Sequence, residues 1–284
     1  MSTSELPSGP VAEAIEAGTM GGRLWFYTNY HCNLECSYCL TASGPSVPRR
    51  MLEPETVIDL VHQAKKLGFT SIGITGGEPF MVASMPDLIE QIADVLPVIV
   101  LSNATLFTGS RLERVAAFAG RDIQIQVSLD APDSGPNDTK RGEDNWATVA
   151  EAVPALVARG VRVRLATTTE EGALSIDDHE RLCALHRSWG VPDEDHIVRP
   201  IISRGRAHLD ANGVSANQSN LPAELCLTSD GAFWSPFGPT IVNGRLDTDL
   251  LVTRTISPLS VPAQAMARLA TGRPDGADAQ LSIR

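Results

Sequence analysis

The chain has 284 residues, 43% hydrophobic and 20% charged, enough for one large α/β domain with or without a small appendage. Its formal charge of −11 argues against broad capture of nucleic acid, because neutralising phosphates needs a basic surface. It has no apolar run long enough to span a bilayer, and Met1 to Glu16 lacks the basic start and apolar stretch of a signal peptide, so the expectation is a cytoplasmic protein with neither membrane nor nucleic-acid partners.

From about Leu24 to Ile202, short β-rich runs alternate with helical patterns, as in a parallel sheet with crossover helices. The expected strands are Leu24 to Asn29, Ser71 to Thr75, Val98 to Ser102, Ile123 to Leu129, Arg162 to Thr168 and His196 to Ile201. Between them the pattern predicts helices over Pro54 to Leu67, Met85 to Val95, Ser110 to Phe118, Trp146 to Arg159 and Ser175 to Trp189. Strands of a parallel sheet are usually apolar throughout, but in the fourth Ile123, Ile125, Val127 and Leu129 alternate with Gln124, Gln126, Ser128 and Asp130. Period-two geometry turns the apolar set to the helices and the polar set to an interior cavity. The fifth strand repeats this, with Val161, Val163 and Leu165 against Arg162, Arg164 and Ala166. These six units predict a partial (β/α)6 TIM-like barrel whose inside receives something polar.

After Ile202 the Gly-, Asn- and Ser-rich stretch Ser203 to Pro222 reads as a long connection. The turn signals Asp230-Gly231 and Asn243-Gly244 follow, each flanked by strand formers, and predict a small C-terminal β-hairpin appendage. A short helix is expected over Pro262 to Ala270. The expected divisions are an N-terminal segment at 1–23, the partial barrel at 24–202, a reduced C-terminal cap at 203–270 and a flexible tail at 271–284.

Five cysteines in a cytosolic chain of this size read as ligands or buried thiols, not as a disulfide framework. Three stand in His31-Cys32-Asn33-Leu34-Glu35-Cys36-Ser37-Tyr38-Cys39, directly after the first strand, where C-x3-C-x2-C spacing lets three thiolates converge on one small object. A structural zinc site usually takes four ligands, the fourth here being His31 or a distant Cys. An iron-sulfur cluster on three thiolates leaves one iron open to bind a substrate. The second strand ends in Thr75-Gly76-Gly77-Glu78-Pro79, where two glycines admit close backbone approach to a ligand and a carboxylate accepts hydrogen bonds from an ammonium group. Arg164, aimed into a barrel, requires an anion, either the carboxylate of a cofactor or an acidic substrate group; with its parity shifted by one it snorkels to solvent instead. Arg199 faces the cavity mouth on the same reading.

The cysteine motif with Tyr38 as its aromatic residue, together with Gly76-Gly77-Glu78-Pro79, closely resembles the radical S-adenosylmethionine (SAM) superfamily over about residues 24 to 245. It is most similar to the subgroup of molybdenum-cofactor cyclases and SPASM-type peptide maturases, here with a reduced C-terminal extension. The resemblance implies that Cys32, Cys36 and Cys39 hold a [4Fe-4S] cluster, that Gly76, Gly77 and Glu78 hold the methionine amine of SAM, and that Tyr38 lies near adenine. It also aligns Leu101-Ser102-Asn103-Ala104 and Val127-Ser128-Leu129-Asp130 with family strand ends, which places Ser102 and Ser128 at the ribose. Family members have glycine at Ala104 and Ala131, so differently shaped turns are expected there. Asp138 to Gly142 resembles a His-Asp-x-x-Arg-Gly segment of the same group, with Asn137 in place of the His; the plain structural reading of Arg141 is a loop anchor. Leu225 to Trp234 looks like the start of a maturase extension, but a lone Cys226 cannot hold a second cluster and Cys183 reads as a buried thiol, so one cluster is expected.

The implied chemistry is reductive cleavage of SAM to a 5′-deoxyadenosyl radical that abstracts a hydrogen atom, with electrons from a low-potential donor such as flavodoxin or ferredoxin. The substrate is a small natural product or a peptide, the latter presented by a separate protein because the 23 residues before the first strand are too few for a recognition domain. Rival readings are a glycyl-radical-enzyme activase and a non-catalytic zinc or iron-sulfur partner protein.

Overall fold

The computed structural model describes residues 7–170, 174–242 and 244–272. Helix α1 (Pro10–Glu16) leads into strand β1 (Arg23–Asn29), then α2 (Pro54–Leu67), β2 (Ser71–Gly76), α3 (Met85–Ala93), β3 (Val98–Ser102), α4 (Gly109–Val115) and β4 (Ile123–Ser128). There follow α5 (Ser134–Arg141), α6 (Asn145–Val157), β5 (Arg162–Thr169), α7 (Ile176–Ser188) and β6 (His196–Pro200). The C-terminal part adds α8 (Gly205–Leu209), the hairpin β7 (Cys226–Thr228) and β8 (Gly231–Phe233), the ribbon β9 (Ile241–Val242) and β10 (Arg245–Leu246), β11 (Leu251–Thr253) and α9 (Ser260–Thr271).

The first helix–strand unit shows why these segments fold as they do. In α2, Pro54 opens the helix, Lys65 and Lys66 sit in its last turn and Gly68 ends it in the left-handed region at φ 97°. Its buried Val57, Leu60, Val61 and Ala64 follow i, i+3, i+4, i+7 spacing, which lays one apolar stripe on the sheet. Strands β1 to β6 pair in parallel in sequence order and the sheet does not close. The alternation read from β4 and β5 holds in three dimensions. Ile123, Ile125, Val127, Leu129, Val163 and Leu165 are buried, while Gln126, Ser128, Arg164 and Thr168 line a central cavity with Ile197 and Arg199 of β6. The strand starts depart from it: Gln124 reaches Asp195 and Arg162 pairs with Asp122 at the other rim.

The C-terminal hairpin forms around Asp230-Gly231 as expected, but it is joined to the barrel sheet. Strand β7 pairs in parallel with β1, Trp25 opposite Cys226 and Phe26 opposite Leu227. Among the described residues the result is a nine-stranded sheet in the order β11-β8-β7-β1-β2-β3-β4-β5-β6. Helix α9 is longer than expected and packs against α1, a helix the sequence reading did not predict. Of the second turn signal, Asn243 lies outside the described residues, as do 273–284 of the expected tail and 1–6 of the N-terminal segment. No helix among the described residues is long and apolar enough to cross a membrane.

Candidate active site

The chain leaves β1 at its C-terminal end and enters the loop that carries the three cysteines. A cavity of about 460 Å³ opens there, within the usual size of a small-molecule site. Cys32, Cys36, Cys39, Tyr38, Gly76, Gly77, Glu78, Ser102, Ser128, Arg164 and Arg199 all line it. Residues up to 167 positions apart thus line one cavity, most of them at the C-terminal ends of the parallel strands, where α/β sheets place ligands.

The two glycines have a more specific reason than ligand approach. A Cβ on Gly76, whose φ is 133°, would lie 2.2 Å from the Asn29 carbonyl oxygen, and one on Gly77 would lie 2.0 Å from that of His31. Their absence lets Gly77 N–H donate to Asn29 O at 2.8 Å and Glu78 N–H to His31 O at 3.0 Å. The end of β2 is therefore laced directly to the backbone that begins the cysteine loop. Glu78 is buried beneath this junction, its Oε1 accepting from Phe80 N–H and the Ser102 hydroxyl and its Oε2 from Asn103 N–H. Burial pushes its carboxyl up from 4.5 to about 7, although these three bonds favour the ionised form. Three of about four lone-pair sites are used, which leaves one acceptor position.

Ser102 lines the cavity, but its hydroxyl is committed: it donates to Glu78 and accepts from Ala104 N–H at 3.0 Å. Ala104 itself sits at φ 61°, so this turn keeps the left-handed shape of a glycine despite the methyl group. Ala131 does not have a positive φ. Asn103, which the sequence reading gave no role, donates from Nδ2 to Cys32 Sγ at 3.7 Å and to Asn33 Oδ1 at 3.0 Å. Leu34 N–H also donates to Cys32 Sγ, and Thr41 Oγ1 lies 3.2 Å from Cys39 Sγ. Burial pushes the Cys32 thiol up to about 12, opposed by the Leu34 bond, and raises Cys36 against the charge of Arg141. Thiolates here need a strong cation beside them.

Two clamps hold the loop from the side. Tyr38 donates to Asp130 Oδ2 at 2.5 Å, Arg141 NH1 bonds the same tyrosine oxygen, and Arg141 Nε donates to Asn145 Oδ1. Asp130 also accepts from Thr168 N–H through Oδ1. Arg141 thus anchors the loop, the plain structural reading of this residue, with Asp130 as a buried partner to which the sequence assigns no role. The second clamp comes from the supposed connection after β6. Arg206 donates from Nε to Cys36 O at 2.7 Å and from NH2 to Ser43 O at 2.6 Å. A Cβ on the preceding Gly205 would meet the Cys39 and Leu40 carbonyls at 2.5 Å. Only an invariant short motif could have revealed this partner in one sequence, and Gly205-Arg206 is not distinctive.

Arg164 lines the cavity, the inward of the two parities that the sequence leaves open. It is half-buried, its Nε has no partner, and burial together with the Arg23 charge lowers its pKa. An anion in the cavity would satisfy it. The three cysteine sulfurs, by contrast, do not gather within 4.8 Å of one another as donors around one ion would; a tetrahedral zinc needs sulfurs about 3.8 Å apart. His31 turns its Nδ1 toward Val47 O at 3.2 Å. Three spread thiols and a neighbouring acceptor carboxyl suit a multi-iron cluster with a small amine-bearing ligand on its open side, and fit a single zinc ion poorly.

The radical SAM superfamily model matches residues 27–171. GTP 3′,8-cyclase 2 of Mycobacterium bovis is 28% identical over 246 residues, covering 79% of this chain and 67% of the cyclase. Mycofactocin maturase MftC of Mycolicibacterium smegmatis is 26% identical over 176 residues, covering 60% of this chain and 43% of the maturase. Among solved structures, Streptococcus suis SuiB bound to S-adenosylmethionine aligns with a TM-score of 0.53 at 19% identity, over 63% of this chain and 41% of SuiB. The structure of anSMEcpe with bound AdoMet aligns with a TM-score of 0.53 at 14% identity, over 92% of this chain and 80% of that one. These two likenesses show a shared fold. The chain spans less than half the length of MftC and of SuiB.

Proposed function

The chain belongs to the radical SAM superfamily, and from that premise we propose that it holds one [4Fe-4S] cluster on Cys32, Cys36 and Cys39 and acts on a peptide or small natural-product substrate. When bound, the cluster and SAM supply a 5′-deoxyadenosyl radical by reductive cleavage, and with it the means to abstract a hydrogen atom. The protein's own part is to bind, orient and exclude. Glu78 offers its remaining acceptor position to the amine of SAM, with the Gly76-Gly77 backbone alongside. Ser102 acts at one remove by holding Glu78, Ser128 faces the cavity where a ribose would lie, and Tyr38 sets the loop beside adenine. Arg164, with Arg23 near it, takes the carboxylate of SAM or an acidic group of the substrate.

The single observation that carries this reading is the convergence of the three thiols and the Gly76-Gly77-Glu78 turn on one cavity. Similarity to MftC supports a peptide substrate, as does the structure of SuiB bound to precursor peptide SuiA, which shares the fold with a TM-score of 0.52. Similarity to the cyclase supports a small molecule. A low-potential flavodoxin or ferredoxin is the proposed electron donor, and a separate protein presents the substrate if that is a peptide.

The test is anaerobic reconstitution with iron and sulfide, followed by SAM and dithionite. About four irons per chain and release of 5′-deoxyadenosine, both lost in Cys36→Ala, are expected. A chain that takes up no iron and releases no 5′-deoxyadenosine refutes the reading.

A further inference from the structure

On the far side of the barrel wall from the cysteine loop, α7 packs over the edge strand β6. His179, Cys183 and His186 stand at i, i+4 and i+7 on α7 and so share one face. His196 opens β6, and its parity is opposite to that of Ile197 and Arg199, which line the central cavity. Ligand atoms of His179, Cys183 and His196 all lie within 4.8 Å of one another. Cys183 Sγ is 3.7 Å from His179 Nε2, close to the roughly 3.6 Å that separates a thiolate and an imidazole nitrogen on one tetrahedral zinc.

The hydrogen bonds fix which nitrogen of His196 is available. Thr167 spends its single hydroxyl proton on Leu129 O at 2.7 Å, yet its oxygen is also 2.9 Å from His196 Nε2. Nε2 must therefore be the donor, which leaves the lone pair on Nδ1. This is the outer-shell arrangement that orients metal-bound imidazoles. A second observation points to the same place. His186 is fully buried and neither ring nitrogen has a hydrogen-bond partner, while its ring centroid lies 4.6 Å from that of His196. Buried polar groups without partners are rare. A metal on the other three residues explains this one, His186 accepting a hydrogen bond from metal-bound water beside the site.

We propose that His179, Cys183 and His196 form a binding site for a divalent transition metal of the zinc class, separate from the cysteine loop, that staples α7 to the edge strand β6. Two imidazoles and a thiolate are the donors zinc prefers, and hard cations such as magnesium are excluded by the absence of oxygen donors from the set. The site needs neither iron nor SAM.

The test uses the full chain with its cluster reconstituted, dialysed against about micromolar buffered free zinc, with zinc and iron measured per chain. One zinc per chain is expected in the wild type and also in Cys36→Ala. At least a tenfold loss of zinc affinity is expected in His179→Ala and in Cys183→Ser, with iron content unchanged. His179 is exposed, so its replacement tests the metal and not the packing. X-ray absorption at the zinc edge should show one sulfur among nitrogen and oxygen neighbours. No zinc in the wild type, equal zinc in His179→Ala, or zinc that vanishes only with Cys36→Ala would overturn the proposal.

Discussion

Replacing Glu78 by glutamine removes a charge that the fold holds at a cost, and the cost has a calculable pH dependence. Burial raises this carboxyl from 4.5 to about 7, so the native state binds the proton more tightly than the unfolded chain does. The stabilisation is therefore fully present below pH 4.5 and is lost as pH rises through 7. Linkage gives about 2 kcal/mol of lost stability for this one group between roughly pH 5.5 and pH 8.5. The assay is urea unfolding of the cluster-free protein at those two pH values, wild type against Glu78→Gln, with all other titrating groups cancelling in the difference. Glutamine should flatten the pH dependence by about that amount, and should also lower stability at both pH values by about 1–3 kcal/mol. Its NH2 must face either Asn103 N–H or the Phe80 N–H and Ser102 pair, and so places a donor against a donor. In the same variant the affinity for SAM should lose a roughly tenfold rise between about pH 6 and pH 8. Identical pH slopes for the two proteins would show that the three hydrogen bonds outweigh burial and would refute the reasoning.

Three further outcomes test the frame around the cavity. Gly77→Ala places a methyl 2.0 Å from the His31 carbonyl oxygen, so it should cost about 1–3 kcal/mol in denaturant unfolding and lower the iron retained after reconstitution; iron uptake equal to the wild type would mean that the loop yields freely. Ala104→Gly relieves a positive φ at a buried site and should raise stability by about 1 kcal/mol, measured as a higher urea midpoint with an unchanged slope. Asp130→Asn leaves the buried Arg141 without its charge partner and should cost about 3–5 kcal/mol, part of which returns in an Asp130→Asn, Arg141→Met double variant.

The sheet was legible in the sequence because its information is local. The alternation of Ile123 to Asp130 and the apolar stripe of α2 each state their own geometry, and the cysteine spacing with Gly76-Gly77-Glu78 marks one end of the barrel. What stayed hidden depends on partners distant in the chain. Helix α5, with the sequence SGPNDTKR, has no apolar stripe to read; it is held by the buried polar side chains of Asn137 and Arg141. Arg206 lies 170 residues from the Cys36 whose carbonyl it binds. The pairing of Cys226 with Trp25 made the hairpin part of the sheet, and no turn signal encodes which strand a hairpin will join. Cys183 reads as one thiol in an amphipathic helix until β6 brings His196 beside it.

The seat of β7 against β1 also sets an order of events at the ribosome. Chains emerge N-terminus first, at about 5–20 residues per second. The six strands β1 to β6 are thus released while β1 is still an open border with unpaired backbone groups, and the stretch that covers it arrives only with residues 226–228. Arg206, which ties down the Cys36 carbonyl, also comes late. The thiols of the cysteine loop are therefore synthesised long before the strand that closes the border beside them.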